Sequence, residues 1–242
     1  MRTDLNAQQV AHELQATVDR LLAGKEPLRV LEAGCGSVRN VRFPGSAQIV
    51  GIDISQRQLD QNKSVDEKIL GDVQTHELPA ESFDAVVCWN VLEHLEDPDA
   101  AVRRFSVALR PGGVLILACP HPHSFKGLGA RLTPHWLHVW FYRHVLGVAG
   151  AGTDDPRPFP TVMSPRIAPA AICGLAASCG LTTELGAVST GTQWGVRNPL
   201  VQRVIEPALQ GLAFGLRVVT VGRYRGELCE TRLVLRKSAP TP

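Results

Sequence analysis

The residues best placed to do chemistry in this chain are two acids and two glycines. Val30-Leu31-Glu32-Ala33-Gly34-Cys35-Gly36 is answered by Ile49-Val50-Gly51-Ile52-Asp53-Ile54. The first run reads as a buried strand entering a glycine turn and then a helix, and the second as another strand ending in an acid. Glycine lacks a Cβ and accepts φ > 0, so the backbone at Gly34 and Gly36 can approach a ligand closely. An acid roughly twenty residues beyond such a turn can accept hydrogen bonds from both hydroxyls of a ribose. This pairing suits a nucleoside. A dinucleotide site wants G-x-G-x-x-G with a pyrophosphate on the helix N-terminus. Here Ser37-Val38-Arg39 follow Gly36, and the third glycine is missing. Glu32, just ahead of the turn, would meet a phosphate unfavourably and suits a ligand with a cationic end. The plainer reading of a lone G-x-G is a tight strand-to-helix turn with no ligand.

The downstream order carries more weight. Gly71-Asp72-Val73 places an acid after a third short strand. Phe83-Asp84-Ala85-Val86-Val87-Cys88-Trp89-Asn90 runs into Val91-Leu92-Glu93-His94-Leu95-Glu96-Asp97-Pro98. A helix from Asp99 to Leu109, then Arg110-Pro111-Gly112-Gly113, leads to the strand Val114 to Cys119. The series resembles the class I S-adenosylmethionine-dependent methyltransferases, in particular the ubiquinone- and menaquinone-biosynthesis-like, methyltransferase type 11 group. The resemblance covers residues 28 to 120. It implies an α/β, Rossmann-like, mostly parallel seven-stranded sheet with helices on both faces, an antiparallel last strand at the sheet edge, and S-adenosylmethionine as cofactor.

Carried over residue by residue, the resemblance implies that Glu32, Gly34, Cys35 and Gly36 shape the methionine end. Asp53 takes the ribose hydroxyls, and Ile54 packs on the adenine. Asp72 accepts from the adenine amino group, with Val73 beside it. Asn90 lies at the tip of the fourth strand near the sulfonium, and His94 supports the site from a helix start. Val38 departs from the family, where a third glycine is common.

The elements that position these groups follow from periodicity. A helix from about Asp4 to Leu22 has Leu14, Val18, Leu21 and Leu22 on one side; in the family such a helix can cover the cofactor. Five strands then alternate with helices up to Cys119, which argues for a parallel sheet. The helix after Gly36 is poorly patterned and is closed early by Pro44-Gly45, and a short helix falls within residues 55 to 66. Beyond residue 166, a helix from Ala168 to Cys179, a strand around Leu181 to Ser189, a helical stretch from Pro199 to Leu216 and a last strand from Cys229 to Arg236 complete residues 167 to 236.

Residues 121 to 166 are too long for a simple connection and form a helical insert after the fifth strand, placed for substrate recognition or as a lid. Thr133 and Pro134 suit the N-cap and first position of a helix. On it His135, His138 and Tyr142 share a face. Trp136, Trp140 and Phe141 either pack on the sheet, as aromatic stripes usually do, or offer flat area to a ring or lipid chain. A third reading makes this an amphipathic helix that touches a membrane.

Composition bounds the rest. The 242 residues suffice for one domain with a large core, and a net charge of +2 does not indicate nucleic acid. The six cysteines show no C-x-x-C or zinc spacing, so buried thiols in a reducing cytoplasm and no metal site are expected. Asp154-Asp155 reads as solvated loop acids, and Arg217, Arg223 and Arg225 as a solvated basic face. Residues Thr3 to Ala23 do not read as a signal peptide, no apolar run reaches a membrane span, and the abundance of arginine over lysine suggests a GC-rich bacterial genome.

The resulting expectation is a bacterial, cytoplasmic methyltransferase acting on a small molecule, at a hydroxyl oxygen of a secondary metabolite, sugar or lipid-like ring. A hydroxyl must lose a proton, and a neutral histidine is a suitable base. The candidates rank His121, His123, His138, with Tyr142 alongside. Transfer to nitrogen or carbon, and a non-catalytic binding protein on the same fold, are the alternatives. A homodimer is compatible with the sequence, which marks no surface as an interface.

Overall fold

The computed structural model describes residues 1–3, 5–36, 39–145, 147–148, 150–153, 158–190, 211–212, 214–215, 217–222, 225 and 228–239. Seven strands, β1 (Leu28–Ala33), β2 (Ala47–Asp53), β3 (Glu67–Leu70), β4 (Phe83–Trp89), β5 (Leu109–Pro120), β6 (Leu181–Thr190) and β7 (Leu228–Lys237), form one sheet in the order β3-β2-β1-β4-β5-β7-β6. The pairings from β3 through β5 are parallel, and β7 runs antiparallel to both β5 and β6.

The two-residue period of the strands separates two buried layers. Leu31, Val50, Ile52, Val86 and Leu115 face α3 (Pro98–Ala108) and α6 (Pro169–Ser178), which contribute Val102, Phe105, Ile172 and Ala176. Val30, Ile49, Ala85, Val114 and Ile116 face α1 (Ala7–Leu22), which contributes Leu14, Val18, Leu21 and Leu22. A capping box starts α1: the Asn6 side chain accepts from the Gln9 N–H at 2.9 Å, and the Gln9 side chain accepts from the Asn6 N–H at 2.9 Å. The apolar side of α1 is thus buried against the sheet rather than turned to a ligand.

Several expectations need correction. β7 lies between β5 and β6, not at the edge. Leu233, Val234 and Leu235 are all fully buried, and such a continuous apolar run needs cover on both faces. No helix forms in residues 39–46. Val41 is buried there, Pro44 holds Phe43 away from helical geometry, and the Gln15 side chain brackets Arg42, donating to its carbonyl at 2.8 Å and accepting its N–H at 3.2 Å. The next helix, α2, is only Gln56–Gln61.

After β5 the chain forms a helix hidden from sequence reading, α4 (Phe125–Leu132), because Gly127 and Gly129 lie inside it. Gly127 is required: a Cβ there would sit 2.6 Å from the His121 carbonyl oxygen. Thr133 does not cap the following helix. It closes α4, its hydroxyl donating to the Gly129 carbonyl at 2.5 Å, and α5 runs His135–His144 behind Pro134. No residue of α5 is buried, so the reading in which its aromatics pack on the sheet fails for Trp136 and Trp140. The expected helix from Pro199 to Leu216 lies mostly outside the described residues, as do Asp154, Asp155 and Arg223; residues 211, 212, 214 and 215 are helical. All six cysteines are free thiols.

Phe105 is fully buried where α3 meets the sheet. Phe105→Ala is expected to destabilise the fold by about 3–5 kcal/mol through lost transfer energy and a residual cavity, read as a lowered urea midpoint at unchanged slope.

Candidate active site

Parallel pairing brings the carboxyl ends of β1, β2, β4 and β5 to one edge of the sheet, and Glu32, Gly34, Gly36, Asp53, Asn90, His121 and His123 all lie at that edge. The turn after β1 is tied to β2. The N–H groups of Gly34 and Cys35 both donate to the Ile52 carbonyl, at 2.7 and 3.1 Å. Gly34 has φ +67, and a Cβ there would lie 2.2 Å from Cγ2 of Val91. Only glycine fits this approach between β1 and the loop after β4. Gly36, at φ +47, donates its N–H to Asp53 Oδ2 at 3.0 Å, while Asp53 Oδ1 accepts the Ser55 N–H at 2.9 Å. The Asp53 carboxylate is therefore held in one orientation by two backbone donors.

Glu32 is buried. Its Oε1 takes the Arg39 Nε–H at 3.1 Å, and its Oε2 is buried without a hydrogen-bond partner. Burial raises its pKa, against the pull of Arg39. A carboxylate oxygen buried without a partner at the mouth of a glycine turn is an open position for a cationic donor. Cys35 is buried beside it, and burial with the two nearby carboxylates pushes its thiol up to about 11. It is a packing group, not a nucleophile.

The remaining predicted residues divide. Ile54 follows Asp53 and is 75% exposed, an apolar surface bare at the edge. Val73 is buried in the core layer with Val50 and Ile52, so its side chain is not available to a ligand. Asp72 folds into a turn, accepting the Gln74 N–H at 2.8 Å and the Gln74 side-chain amide at 3.1 Å on each oxygen. Asn90 is exposed with φ 55, a left-handed conformation that asparagine tolerates better than most residues, and its N–H donates to Ala118 at 2.8 Å. His94 lies 2.7 Å from the Pro160 carbonyl through Nδ1; a carbonyl can only accept, so Nδ1 carries the proton.

His121 is buried just after β5. Its Nδ1 accepts the His123 N–H at 3.1 Å, which leaves the ring proton on Nε2. Burial, then the neighbouring His123 and Arg225, push its pKa down to about 4. The His123 ring is 5.6 Å away, edge to face, and is exposed. His138 is engaged within the insert, its Nε2 2.6 Å from the Thr133 hydroxyl, and burial lowers its pKa. The Tyr142 carbonyl accepts the Val148 N–H. The edge thus gathers His121 and His123 with the glycine turn, while His138 and Tyr142 belong to α5.

Sequence reading misses two supports of the turn. Asn62 is fully buried after α2 and donates to the carbonyls of Gly36 at 2.9 Å and Cys35 at 3.3 Å. Arg39 joins Glu32 to the Ser64 carbonyl. Neither carries a local signal, since both act across the loop. Among the described residues no cluster of three His, Cys, Asp or Glu could hold a metal ion.

Residues 31–117 match the family described as a methyltransferase domain. A ubiquinone biosynthesis O-methyltransferase of Idiomarina loihiensis is 27% identical over 141 residues, 54% of this chain and 55% of that protein. One from Chromobacterium violaceum is 32% identical over 145 residues, 55% of this chain and 57% of that protein. The matched stretch spans little more than half the length of these two relatives. A solved S-adenosylmethionine-dependent methyltransferase from Mesorhizobium loti superposes with a TM-score of 0.54 at 16% identity, covering 93% of this chain and 96% of that one. Residues 31–117 are thus similar to a methyltransferase domain, and the seven-stranded sheet has the fold of S-adenosylmethionine-dependent methyltransferases of known structure.

Proposed function

We propose that this chain binds S-adenosylmethionine at the β1–β2 edge and transfers its methyl group to a hydroxyl of a small molecule. The observation that carries the reading is the buried, unpartnered Oε2 of Glu32 beside a turn that a single Cβ would block. The residues present fit the cofactor. Glu32 would hold its ammonium and Asp53 its ribose hydroxyls. Ile54 would lie against the adenine, Asp72 would take the adenine amino group, and Asn90 would approach the sulfur. Bound there, the cofactor would supply a methyl carbon made electrophilic by a positive sulfur. Oxygen as the acceptor atom is supported by the relatives named as O-methyltransferases. The domain division follows: residues 28–120 hold the cofactor, 121–166 recognise the acceptor, and 167–236 complete the sheet. Six free thiols suit a reducing cytoplasm.

The chain's own contribution is alignment and one proton. Holding nucleophile and carbon in line removes roughly 7–11 kcal/mol of barrier in favourable cases. The proton inventory reverses the order of the two edge histidines. His121 has Nδ1 occupied and its proton on Nε2, so it can donate to an acceptor oxygen but not take its proton. His123, exposed beside it at the end of β5, is assigned as the base. His94 is a positioning residue, fastening Pro160 of the insert to the loop after β4.

Calorimetric titration tests the cofactor. Wild-type protein is expected to bind S-adenosylmethionine and S-adenosylhomocysteine, and Asp53→Ala to bind about tenfold more weakly or worse through lost charge-assisted hydrogen bonds. Folded wild-type protein that binds neither ends the reading. With an acceptor found by screening phenols and sugars, His123→Ala is expected to lower turnover about 10²–10⁴-fold at unchanged cofactor affinity. Unaltered turnover removes His123 as the base. His121 also carries a stability signature. Its folded value of about 4 lies below the ordinary 6.5, so the unfolded chain binds the proton first. Stability therefore falls as pH drops from 6.5 toward 4. His121→Asn is expected to flatten that fall, measured as urea midpoints at neutral and mildly acidic pH.

A further inference from the structure

The tryptophan side of α5 supplies none of the groups assigned to the cofactor or to the proton transfer, and its chemistry is unusual for a free surface. Trp136 is 68% exposed and Trp140 50%. Four residues apart, they lie on one side of the helix. Leu132 ahead of α5 is 71% exposed, and Val145 at its end 40%. The helix is braced from another side: Val139 sits against Gly152, where a Cβ would be 2.8 Å from Cγ1, and the Arg143 Nε–H donates to the Ala151 carbonyl at 2.7 Å. The tryptophan side is left open while the helix is held.

Charge selects what covers it. Between Asp99 and Asp154 the sequence has no aspartate or glutamate. The stretch 120–153, which contains α5, holds Lys126, Arg131 and Arg143 and none of the 23 acids. A second copy seated here across a two-fold axis would set this face on itself, bringing cations together with no acid along the segment to pair them. A lipid surface with anionic headgroups takes both components at once, since tryptophan favours the headgroup layer and arginine the surface charge.

We infer that α5, with Leu132 and Val145, is a peripheral docking face that seats Trp136 and Trp140 in the headgroup layer of an anionic bilayer. Docking is interfacial: among the described residues no helix is long and apolar enough to cross a membrane. It does not depend on the methyl-transfer reading.

The test is co-sedimentation of the full chain with vesicles of phosphatidylcholine alone or mixed with phosphatidylglycerol. The wild type is expected to sediment with the mixed vesicles, less with phosphatidylcholine alone, and less as salt rises. Trp136→Ala/Trp140→Ala is expected to weaken partitioning about tenfold or more, with circular dichroism and melting unchanged because both side chains are exposed. Arg131→Glu is expected to weaken binding to the mixed vesicles only. Folded wild-type protein that ignores the mixed vesicles, or a tryptophan variant that partitions equally, overturns the proposal. Wild-type self-association without vesicles that the tryptophan variant abolishes overturns it in favour of an interface between copies.

Discussion

The parallel register of β1 on β2 is the constraint on which the rest of the functional edge depends. It sets Glu32 opposite Gly51 and Ala33 opposite Ile52, and period-two alternation then puts Glu32 and Asp53 on the same side of the sheet. The glycine at position 51 belongs to this arrangement, because Cys35 folds back over it and a Cβ there would lie 2.8 Å from the Cys35 sulfur. Two N–H groups of the turn converge on the Ile52 carbonyl, and a third reaches the Asp53 carboxylate. A slip of one residue between these strands would put the two acids on opposite faces and turn the core residues of one strand away from their layers. The hydrophobic alternation that builds the core therefore also positions the chemistry.

That arrangement holds a carboxylate under cover with only one oxygen engaged. Burying an incompletely paired carboxylate costs stability, and here the cost is limited by Arg39 and by the rise in the pKa of Glu32. A neutral residue would sit more comfortably, but it would leave nothing to attract a cation. The strained φ of Asn90 and the contact of Gly34 with Val91 lie at the same edge. Local rules are broken together here because close approach to a ligand requires open backbone and unsatisfied charge.

Legibility in the sequence follows from range. The strand ends, Gly34, Gly36 and Asp53 could be read because each depends on a short pattern of burial and turn chemistry. Asn62 and Arg39 could not, since they support the turn from 26 residues away and from across the loop. The inner place of β7 was in principle visible in the uninterrupted Leu233-Val234-Leu235, a run that an edge strand would not bury on both sides. α4 was hidden by two glycines, of which Gly127 is required by a backbone contact. The aromatics of α5 misled because the same residues mark a core helix and an interfacial one, and only exposure separates the two.

The insert is held unevenly, and this divides its work. Its returning end is fixed: Pro160 accepts from His94, the N–H groups of Val162 and Met163 both donate to the Glu93 carbonyl at 2.9 Å, and Met163 and Ile167 are buried in the core. Its outgoing end is fixed as well, with the His121 N–H on the Cys229 carbonyl and Ser124 capping α4. Between these anchors no residue of α5 is fully buried. A helix tied at both ends of its segment, and braced only by neighbours within the insert, can change composition without disturbing the strand edge, since neither core layer draws on it. Selection for an acceptor or for a surface can therefore act on α5 at little cost to the fold, while the residues around Glu32 and Asp53 are fixed by the register that also holds the sheet together.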